Sequence, residues 1–306
     1  MTTFAKQADI YLAGLRARKR EPVKVTSLVA FKSRTRAATP VLGNMRLEAV
    51  DNGALKTLAA ILCDKQYESN SIHAILKVVK QVVASDLDKN GNPRQPRKWN
   101  MKFIDAPSPE SAEVTPPTRE DLENALRVSR SPLWQFMATQ AASGLRKGEL
   151  CALTVDDFDS QIGLLHVSRT LSRYGETSAK TKTGKRDVDP HPDITAMLMA
   201  MLAGRATGRL FDLTIDAVRW GYDNLKIRTH SLRHYRYTHL DKFPLSPGIR
   251  DFWIGHSSAI LSATYSHIKK DIELRQRLVR EVGLGFSLPT VAAMPEPALE
   301  PEMVSA

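Results

Sequence analysis

The chain has 306 residues, of which 42% are hydrophobic, and its formal net charge is +11. This length allows two globular domains, and the charge predicts a polyanionic partner, for which DNA, RNA and an anionic membrane surface are the candidates. Every apolar run is shorter than the ~20 residues of a membrane helix, and none forms a signal peptide. The two cysteines, Cys63 and Cys151, give no disulfide framework or zinc spacing, so we expect a cytoplasmic protein with both thiols reduced and buried.

The first 105 residues are predicted to form a helical domain. Apolar residues recur at helical spacing in two stripes, Leu55, Leu58, Ala59 and Leu62 followed by Ile72, Ile75, Leu76 and Val79. The sequence "ESNS" before the second stripe supplies an N-cap, and the glycine and prolines of "DKNGNPRQPRKW" end the helical pattern. Basic residues are concentrated at the start of this region: Lys6, Arg16, Arg18, Lys19, Arg20, Lys24, Lys32, Arg34 and Arg36.

A stretch rich in proline, serine and acidic residues, "DAPSPESAEVTPPT", predicts an interdomain linker over residues 106–118. Beyond it, Thr118 and an acidic first turn predict a helix start, and a helix from Pro132 is predicted to end at Gly144. The β-branched residues of "LLHVSRTLS" and the turn in "TKTGKRDVDP" predict a small sheet, and three helical segments follow. We therefore predict a mainly α fold with a small β-sheet (α+β), with a second domain over 119–285 and a flexible acidic tail over 286–306.

Two pairs of residues in the second domain have spacings that suit an anion site. Glu149 follows Arg146 by three residues, so on a helix the carboxylate could hold the guanidinium, although an ordinary surface ion pair has the same spacing. His230 and Arg233 share a helix face, where the arginine could bind two phosphate oxygens and the histidine a third. A zinc site at His230 and His234 competes with this interpretation, but the sequence indicates no third ligand.

Three further residues are ambiguous when each is taken alone. Lys182 lies beside a glycine turn, where a lysine is either a solvated hairpin tip or a proton donor that reaches a phosphate. His256 follows Gly255, and Tyr265 comes nine residues later; a lone tyrosine at such a position is ordinarily a packing residue. Neighbouring basic residues compete with the lysine for its role: Lys180, Lys185 and Arg186.

The order of these motifs is more specific than any one of them. R-x-x-E-L, K-T-G, H-x-L-R-H, G-H-S-S and then a tyrosine follow one another within residues 110–282. In this order they resemble the tyrosine recombinases, the phage-integrase family of site-specific DNA recombinases. Residues 1–105 resemble the helical core-binding domain of that family, and residues 119–285 resemble its catalytic domain. "SGLR" and "IGHSS" agree closely with the family pattern, whereas "HYRYTHLDKFPLSPGIRDF" diverges from it.

The resemblance implies DNA strand breakage and rejoining through a 3′-phosphotyrosine, with no metal, cofactor or ATP. The implied catalytic residues are Arg146, Lys182, His230, Arg233, His256 and Tyr265. The arginines would bind phosphate oxygens, the histidines would add donors, and His230 would accept the proton of the tyrosine nucleophile. The lysine would protonate the leaving 5′-oxygen.

The resemblance also implies a partner, double-stranded DNA with specific recombination sites, bound by a homotetramer that assembles from monomers on the DNA. An amphipathic helix after the tyrosine, with Ile272, Leu274, Leu278 and Val282 along one side, would reach a neighbouring protomer as in the family; packing on its own domain is the alternative. Two other functions share these features, a non-catalytic DNA-binding regulator of the same fold and a type IB topoisomerase.

Overall fold

The computed structural model describes residues 2–109, 115–178, 185–255, 268 and 270–289. The chain divides into two compact units, Met1–Glu113 and Val114–Ala306. The first is helical and the second combines helices with small antiparallel sheets, so the predicted α+β fold class is confirmed. No helix within the described ranges is long and apolar enough to cross a membrane.

The first unit encloses its own apolar core with helices α1 (Phe4–Ala17), α2 (Val25–Leu42), α3 (Asn52–Asp64) and α4 (Ser69–Ala84) and the one-turn helix α5 (Met101–Ile104). Both predicted stripes are buried in that core, the first on α3 and the second on α4. The 3.6-residue period therefore identified the inward face of each helix. The N-cap position of α4 is Glu68, within the predicted "ESNS", but its side chain makes no capping hydrogen bond.

The two cysteines lie in different environments. Cys151 is buried, and that burial raises the pKa of its thiol to about 12. Cys63 is exposed, so the prediction that both thiols are buried is wrong for this residue. It follows Leu62 directly on α3, and the next residue on a helix points away from the face that its neighbour buries.

The second unit begins with three helices, α6 (Arg119–Val128), α7 (Leu133–Ser143) and α8 (Lys147–Ala152). The predicted start of α6 is confirmed, because the Asp121 amide donates to the Thr118 hydroxyl at 3.1 Å and the Thr118 amide donates to the Asp121 carboxylate at 3.1 Å. The predicted end of α7 is confirmed as well. Gly144 follows its last residue with a φ of +69°, a left-handed conformation that favours glycine.

The strands form two small antiparallel sheets. β1 (Phe158–Asp159), β2 (Leu164–Val167) and β5 (Arg186–Val188) pair in the order β1-β2-β5, and β3 (Arg169–Ser172) pairs with β4 (Gly175–Ser178). Leu165 of β2 lies opposite Val188 of β5, and Val167 lies opposite Arg186. The predicted small sheet is therefore present, with a second hairpin between two of its strands. Gly148 of α8 permits close approach to β3, because an added Cβ would lie 2.6 Å from the Leu171 carbonyl oxygen.

Five helices complete the described part of the second unit: α9 (Pro192–Leu202), α10 (Ile215–Asn224), α11 (Ser231–Leu240), α12 (Pro247–Ile254) and α13 (Ile272–Val282). The main core contains apolar residues from α6, α7, α9 and α10 and from the sheet. A second cluster joins α11, α12 and α13 through Leu240, Phe252, Val279 and Val282. Helix α11 contributes Leu232 to the main core and Leu240 to the second cluster, so it lies between the main core and α12.

Helix α13 packs one face on its own unit, which is the alternative that the sequence left open; its contact with a neighbouring protomer stays a prediction. Its fully buried residues are Arg275, Val279 and Val282. Ile272, Leu274 and Leu278 of the predicted stripe are only partly buried. The apolar pattern predicted a helix with one buried face, but the center of that face is an arginine with a carboxylate partner elsewhere in the unit.

The chain after α13 also packs on the second unit. Leu284 and Phe286 are buried in the main core, and the Tyr235 hydroxyl donates to the Gly285 carbonyl oxygen at 2.6 Å. Phe286 stands at the start of the predicted tail, so the packed chain extends past the predicted domain boundary at 285. Residues 290–306 of that tail lie outside the described residues.

Candidate active site

Gln140 joins the two loops that carry the predicted arginine and histidine. Its buried side-chain amide donates to the Leu145 carbonyl oxygen at 3.0 Å and to the Thr229 carbonyl oxygen at 3.2 Å. Its side-chain oxygen accepts a hydrogen bond from the buried Tyr222 hydroxyl. Leu145 precedes Arg146 and Thr229 precedes His230, so one satisfied amide positions both loops from the core.

Arg146 and Glu149 form the predicted pair, and it is more than a surface ion pair. The Arg146 guanidinium donates to Glu149 Oε1 at 2.9 Å, and the Arg146 backbone amide donates to Oε2 at 3.0 Å. The Glu149 side chain is only 7% exposed, whereas that of Arg146 is 42% exposed. Burial alone would raise the pKa of Glu149, but the charge and hydrogen bonds of Arg186, with the contacts of Arg146, hold this pKa below its usual value.

Arg186, which the sequence offered only as a competitor of Lys182, is a residue of this site. It is buried at the start of β5 and donates to Glu149 Oε2 at 3.1 Å. Two further bonds reach the end of α12, to the carbonyl oxygens of Trp253 at 3.2 Å and Ile254 at 3.3 Å. The signal for its burial was the period of two in β5, since Arg186 alternates with Asp187 and shares a face with the buried Val188.

Gly255 follows these two carbonyl groups in a left-handed conformation, with a φ of +71°. A Cβ atom added at this position would lie 2.6 Å from the Arg186 guanidinium carbon, so both the backbone and the packing require glycine. The next residue in the chain is His256. Arg186 therefore connects Glu149, and through it Arg146, to the backbone that leads into the predicted G-H-S-S motif.

Arg233 is the most constrained cation of the site. It lies in the first turn of α11, is 6% exposed, and donates through Nη1 to the Gly144 carbonyl oxygen at 2.8 Å. Its Nη2 atom is buried and has no hydrogen-bond partner among the described residues. Burial, followed by the positive charge of Arg146, lowers the pKa of Arg233 to about 10. The side chain still carries its charge at neutral pH, with the N–H groups of Nη2 left for a ligand.

His230 occupies the N-cap position of α11, directly before its first helical residue. The residue is exposed, yet desolvation of its ring, followed by the positive charge of Arg233, lowers the pKa of His230. His234, one turn further, is also exposed, while His239 pairs with the Val282 carbonyl oxygen at 3.0 Å. Within the described ranges, no group of three histidine, cysteine or acidic side chains is arranged to hold a metal ion.

The structure brings together three of the six predicted catalytic residues, and the other three lie outside the described residues. Arg146, His230 and Arg233 share one site around Glu149 and Arg186. The remaining predicted residues are Lys182, His256 and Tyr265. Three guanidinium groups around a single buried carboxylate leave a net positive charge, which suits a phosphate that accepts hydrogen bonds from several donors.

No family model matches this sequence, and no curated protein matches it. Solved structures are similar to the chain over most of its length. The Tn1549 transposon integrase in complex with circular intermediate DNA has a TM-score of 0.70 and 15% identity, covering 87% of this chain and 95% of that one. A lambda integrase dimer bound to a COC' core site has a TM-score of 0.63 and 18% identity, covering 86% and 95%.

A lambda integrase tetramer bound to a Holliday junction is also similar, with a TM-score of 0.62 and 18% identity over 84% of this chain and 78% of that one. The chain therefore has the tyrosine recombinase fold, as the order of motifs predicted. At identities this low, the structural similarity establishes the fold alone, and the role of each residue depends on the chemistry of the site.

Proposed function

We propose that this chain is a tyrosine-type site-specific DNA recombinase that cuts and rejoins DNA through a 3′-phosphotyrosine, without metal or ATP. The observation that supports this proposal most directly is the free Nη2 donor of Arg233, which is buried beside Arg146 and unpaired among the described residues. A buried donor without a partner is costly, and a bound phosphate oxygen would satisfy it. The test is whether Tyr265 becomes covalently joined to DNA.

In the proposed reaction, the Tyr265 oxygen attacks a backbone phosphorus and the bond from phosphorus to the 5′-oxygen breaks. The new bond from tyrosine to phosphorus conserves the energy of the phosphodiester, so the reverse attack by a 5′-hydroxyl rejoins DNA without ATP. Charge on the non-bridging oxygens of the transition state is stabilised by Arg146 and Arg233, with His256 as a further donor. Glu149 and Arg186 do not touch the DNA in this scheme; they hold the arginine and the backbone before His256.

His230 is the proposed proton acceptor for Tyr265, because a free tyrosine has a pKa near ~10 and is neutral at physiological pH. The acceptor must itself be neutral, and the lowered pKa of His230 keeps it so. We expect adduct formation to persist below pH ~6.5 and to fall as the pH drops through the lowered pKa of His230. Single-turnover rates across that range measure this. His230→Gln should be slow, and its rate should no longer fall at low pH. If the rate of this variant falls at low pH as it does in the wild type, another group is the proton acceptor.

Lys182 is the proposed acid for the leaving 5′-oxygen, since an alkoxide leaves poorly without a proton. A sulfur atom at the 5′-bridging position leaves readily and needs no acid. Lys182→Ala should therefore be slow on ordinary DNA and close to wild type on a 5′-bridging phosphorothiolate.

Two neighbouring lysines provide matched controls for this experiment. Lys185 is exposed directly before β5, and Lys180 precedes Lys182 by two residues. Lys180→Ala and Lys185→Ala should show little defect on either substrate. If one of them instead shows the sulfur rescue, the acid is that lysine and the assignment to Lys182 is wrong.

Double-stranded DNA with specific recombination sites is the proposed substrate, and a tetramer formed on DNA from monomers is the proposed working form. Strand exchange joins two duplexes, and each duplex needs two protomers. The similarity to a lambda integrase tetramer on a Holliday junction supports this assembly. The first unit contributes an excess of exposed cations on and between α1 and α2, which suits phosphate contacts whose strength falls with salt: Arg16, Arg18, Lys19, Arg20, Lys32, Arg34 and Arg36.

Two alternatives share the fold and the charge. A non-catalytic DNA-binding regulator would need neither the unpaired Arg233 donor nor a neutral His230, and it would form no adduct. A type IB topoisomerase would form the adduct but would relax DNA without joining two sites. Recovery of products that exchange the flanks of two separate sites therefore distinguishes the recombinase from both.

A further inference from the structure

Both ends of the segment that carries Tyr265 are attached to buried arginines. The upstream end follows α12, where Arg186 binds the carbonyl oxygens of Trp253 and Ile254. The downstream end is Ile268, three residues after the tyrosine, and its carbonyl oxygen accepts a hydrogen bond from Arg275 of α13 at 3.4 Å. The Arg186 contact belongs to the arginine site already described, whereas Arg275 lies outside it.

Arg275 is held by a carboxylate from a distant part of the unit. Its Nε donates to Asp189 Oδ2 at 2.9 Å and its Nη2 donates to Asp189 Oδ1 at 3.1 Å, and both side chains are 0% exposed. The guanidinium also stacks over the Phe252 ring of α12, 4.9 Å from its center. A two-bond fork of this kind fixes both the position and the plane of the arginine.

Asp189 connects this pair to the helix at the other end of the segment. It follows β5 directly, and its Oδ2 atom also accepts a hydrogen bond from the indole of Trp253 at 2.7 Å. One carboxylate thus contacts α12, which precedes the Tyr265 segment, and α13, which follows it. A buried ion pair is seldom more stabilising than apolar residues of the same size, so its advantage lies in defined geometry.

We propose that Asp189 and Arg275 are positioning residues that place the Tyr265 oxygen in line with the bond that breaks. This inference rests on the proposed function, in which Tyr265 is the nucleophile. The Arg275 contact at Ile268 comes three residues after Tyr265, a span of at most ~11 Å, so it fixes one end of the segment close to the nucleophile. A displacement of about 1 Å at a reacting atom can cost ~10²-fold in rate.

The test compares full-length variants in a single-turnover assay of adduct formation at saturating DNA, with Tm and half-site affinity measured in parallel. Arg275→Lys keeps the charge beside Asp189 but cannot reproduce the fork and the Ile268 contact together. Asp189→Asn keeps the size of the side chain and removes its charge. We expect both to lower the adduct rate by about 10–10²-fold while half-site affinity stays within about twofold.

Val279→Ala is the matched control, because it removes buried volume from the same face of α13 without touching the ion pair. It should lower Tm and leave the adduct rate within about twofold of wild type, measured well below its Tm. If Val279→Ala slows the reaction as much as the ion-pair variants at equal loss of Tm, the pair serves stability alone and the proposal is overturned. If Asp189→Asn does not fold, Arg275→Lys decides by the same comparison.

Asp189 directly follows β5, the strand that comes after Lys182 in the chain. A slower reaction in Asp189→Asn could therefore come from a displaced lysine or from a displaced tyrosine, and the two have to be separated. A defect in nucleophile position should remain on the 5′-bridging phosphorothiolate, whereas a defect in the acid should disappear. Rescue by sulfur would overturn the proposal. Tyr265→Phe separates the proposed function from the positioning role. If this variant forms the adduct, the proposed function is refuted. If it forms no adduct while Asp189→Asn and Arg275→Lys react at normal rates, only the positioning role is refuted.

Discussion

Tyr265→Phe should abolish the covalent protein–DNA adduct. The substitution removes only the oxygen that is proposed to attack phosphorus, so the proposed reaction loses its nucleophile. The phosphate would still meet Arg146 and Arg233, so half-site affinity should stay within about twofold. A nicked suicide substrate traps the adduct because the short leaving strand diffuses away, and a denaturing gel then resolves protein joined to labelled DNA.

Tyr174→Phe provides the control for this substitution. Tyr174 lies at the turn between β3 and β4 and is 46% exposed, so the loss of its hydroxyl tests the same change of residue at an exposed hairpin turn. That variant should form the adduct at the wild-type rate. An adduct formed by Tyr265→Phe would mean that another residue is the nucleophile, and the recombinase proposal would fail.

Local patterns predicted the helical elements well because their causes are local. The stripe from Leu55 to Leu62 is buried on α3, and Thr118 and Gly144 mark the start of α6 and the end of α7. Each depends on residues within a few positions of one another, through helical period, capping or a left-handed turn. The pair Arg146–Glu149 was predictable for the same reason, since three residues separate its members.

The buried arginines could not be predicted in this way. Arg186 is satisfied by Glu149, 37 residues earlier, and Arg275 is satisfied by Asp189, 86 residues earlier. Arginine is mostly exposed in proteins unless it is paired, so composition alone places both residues on the surface. Only the tertiary arrangement supplies their carboxylates, and with them the connections between β5, α12 and α13.

The surface that covers the apolar face of α13 could not be predicted from the sequence either. The apolar spacing of this helix correctly indicated that one face is buried, but spacing does not reveal which surface covers that face. In the structure, Val279 and Val282 join Leu240 and Phe252 of the same unit. The contact of this helix with a neighbouring protomer therefore stays a prediction, while its packing on the second unit is observed.

Arg233→Met should lower the rate of adduct formation by about 10²–10³-fold, because it removes a preorganised donor from the charge that develops on the phosphate. The same loss is expected for Arg146→Ala, whose guanidinium is 42% exposed and can be removed while Glu149 keeps its contact with Arg186. The assay is single-turnover adduct formation at saturating DNA. Chelator should not change the wild-type rate, since in the proposed reaction the arginines supply the positive charge that a metal provides in metal-dependent phosphoryl-transfer enzymes.

Arg228→Ala controls for the loss of one positive charge near His230. Arg228 is exposed two residues before that histidine, so its removal should weaken DNA binding in a salt-dependent manner and leave the rate at saturation unchanged. An equal loss of rate in Arg228→Ala and Arg233→Met would show that general charge, and not a specific donor, drives cleavage.

Stability should respond to Arg233→Met in the opposite direction from activity. Burial lowers the pKa of Arg233 to about 10, which means that the folded chain disfavours this charge relative to water. Methionine fills a similar volume without a charge or an unpaired donor, so Tm should be unchanged or higher. A clear fall in Tm would indicate that Arg233 holds the fold through its bond to the Gly144 carbonyl oxygen; a retained or raised Tm with lost cleavage would identify the buried cation as one that the chain keeps for the phosphate.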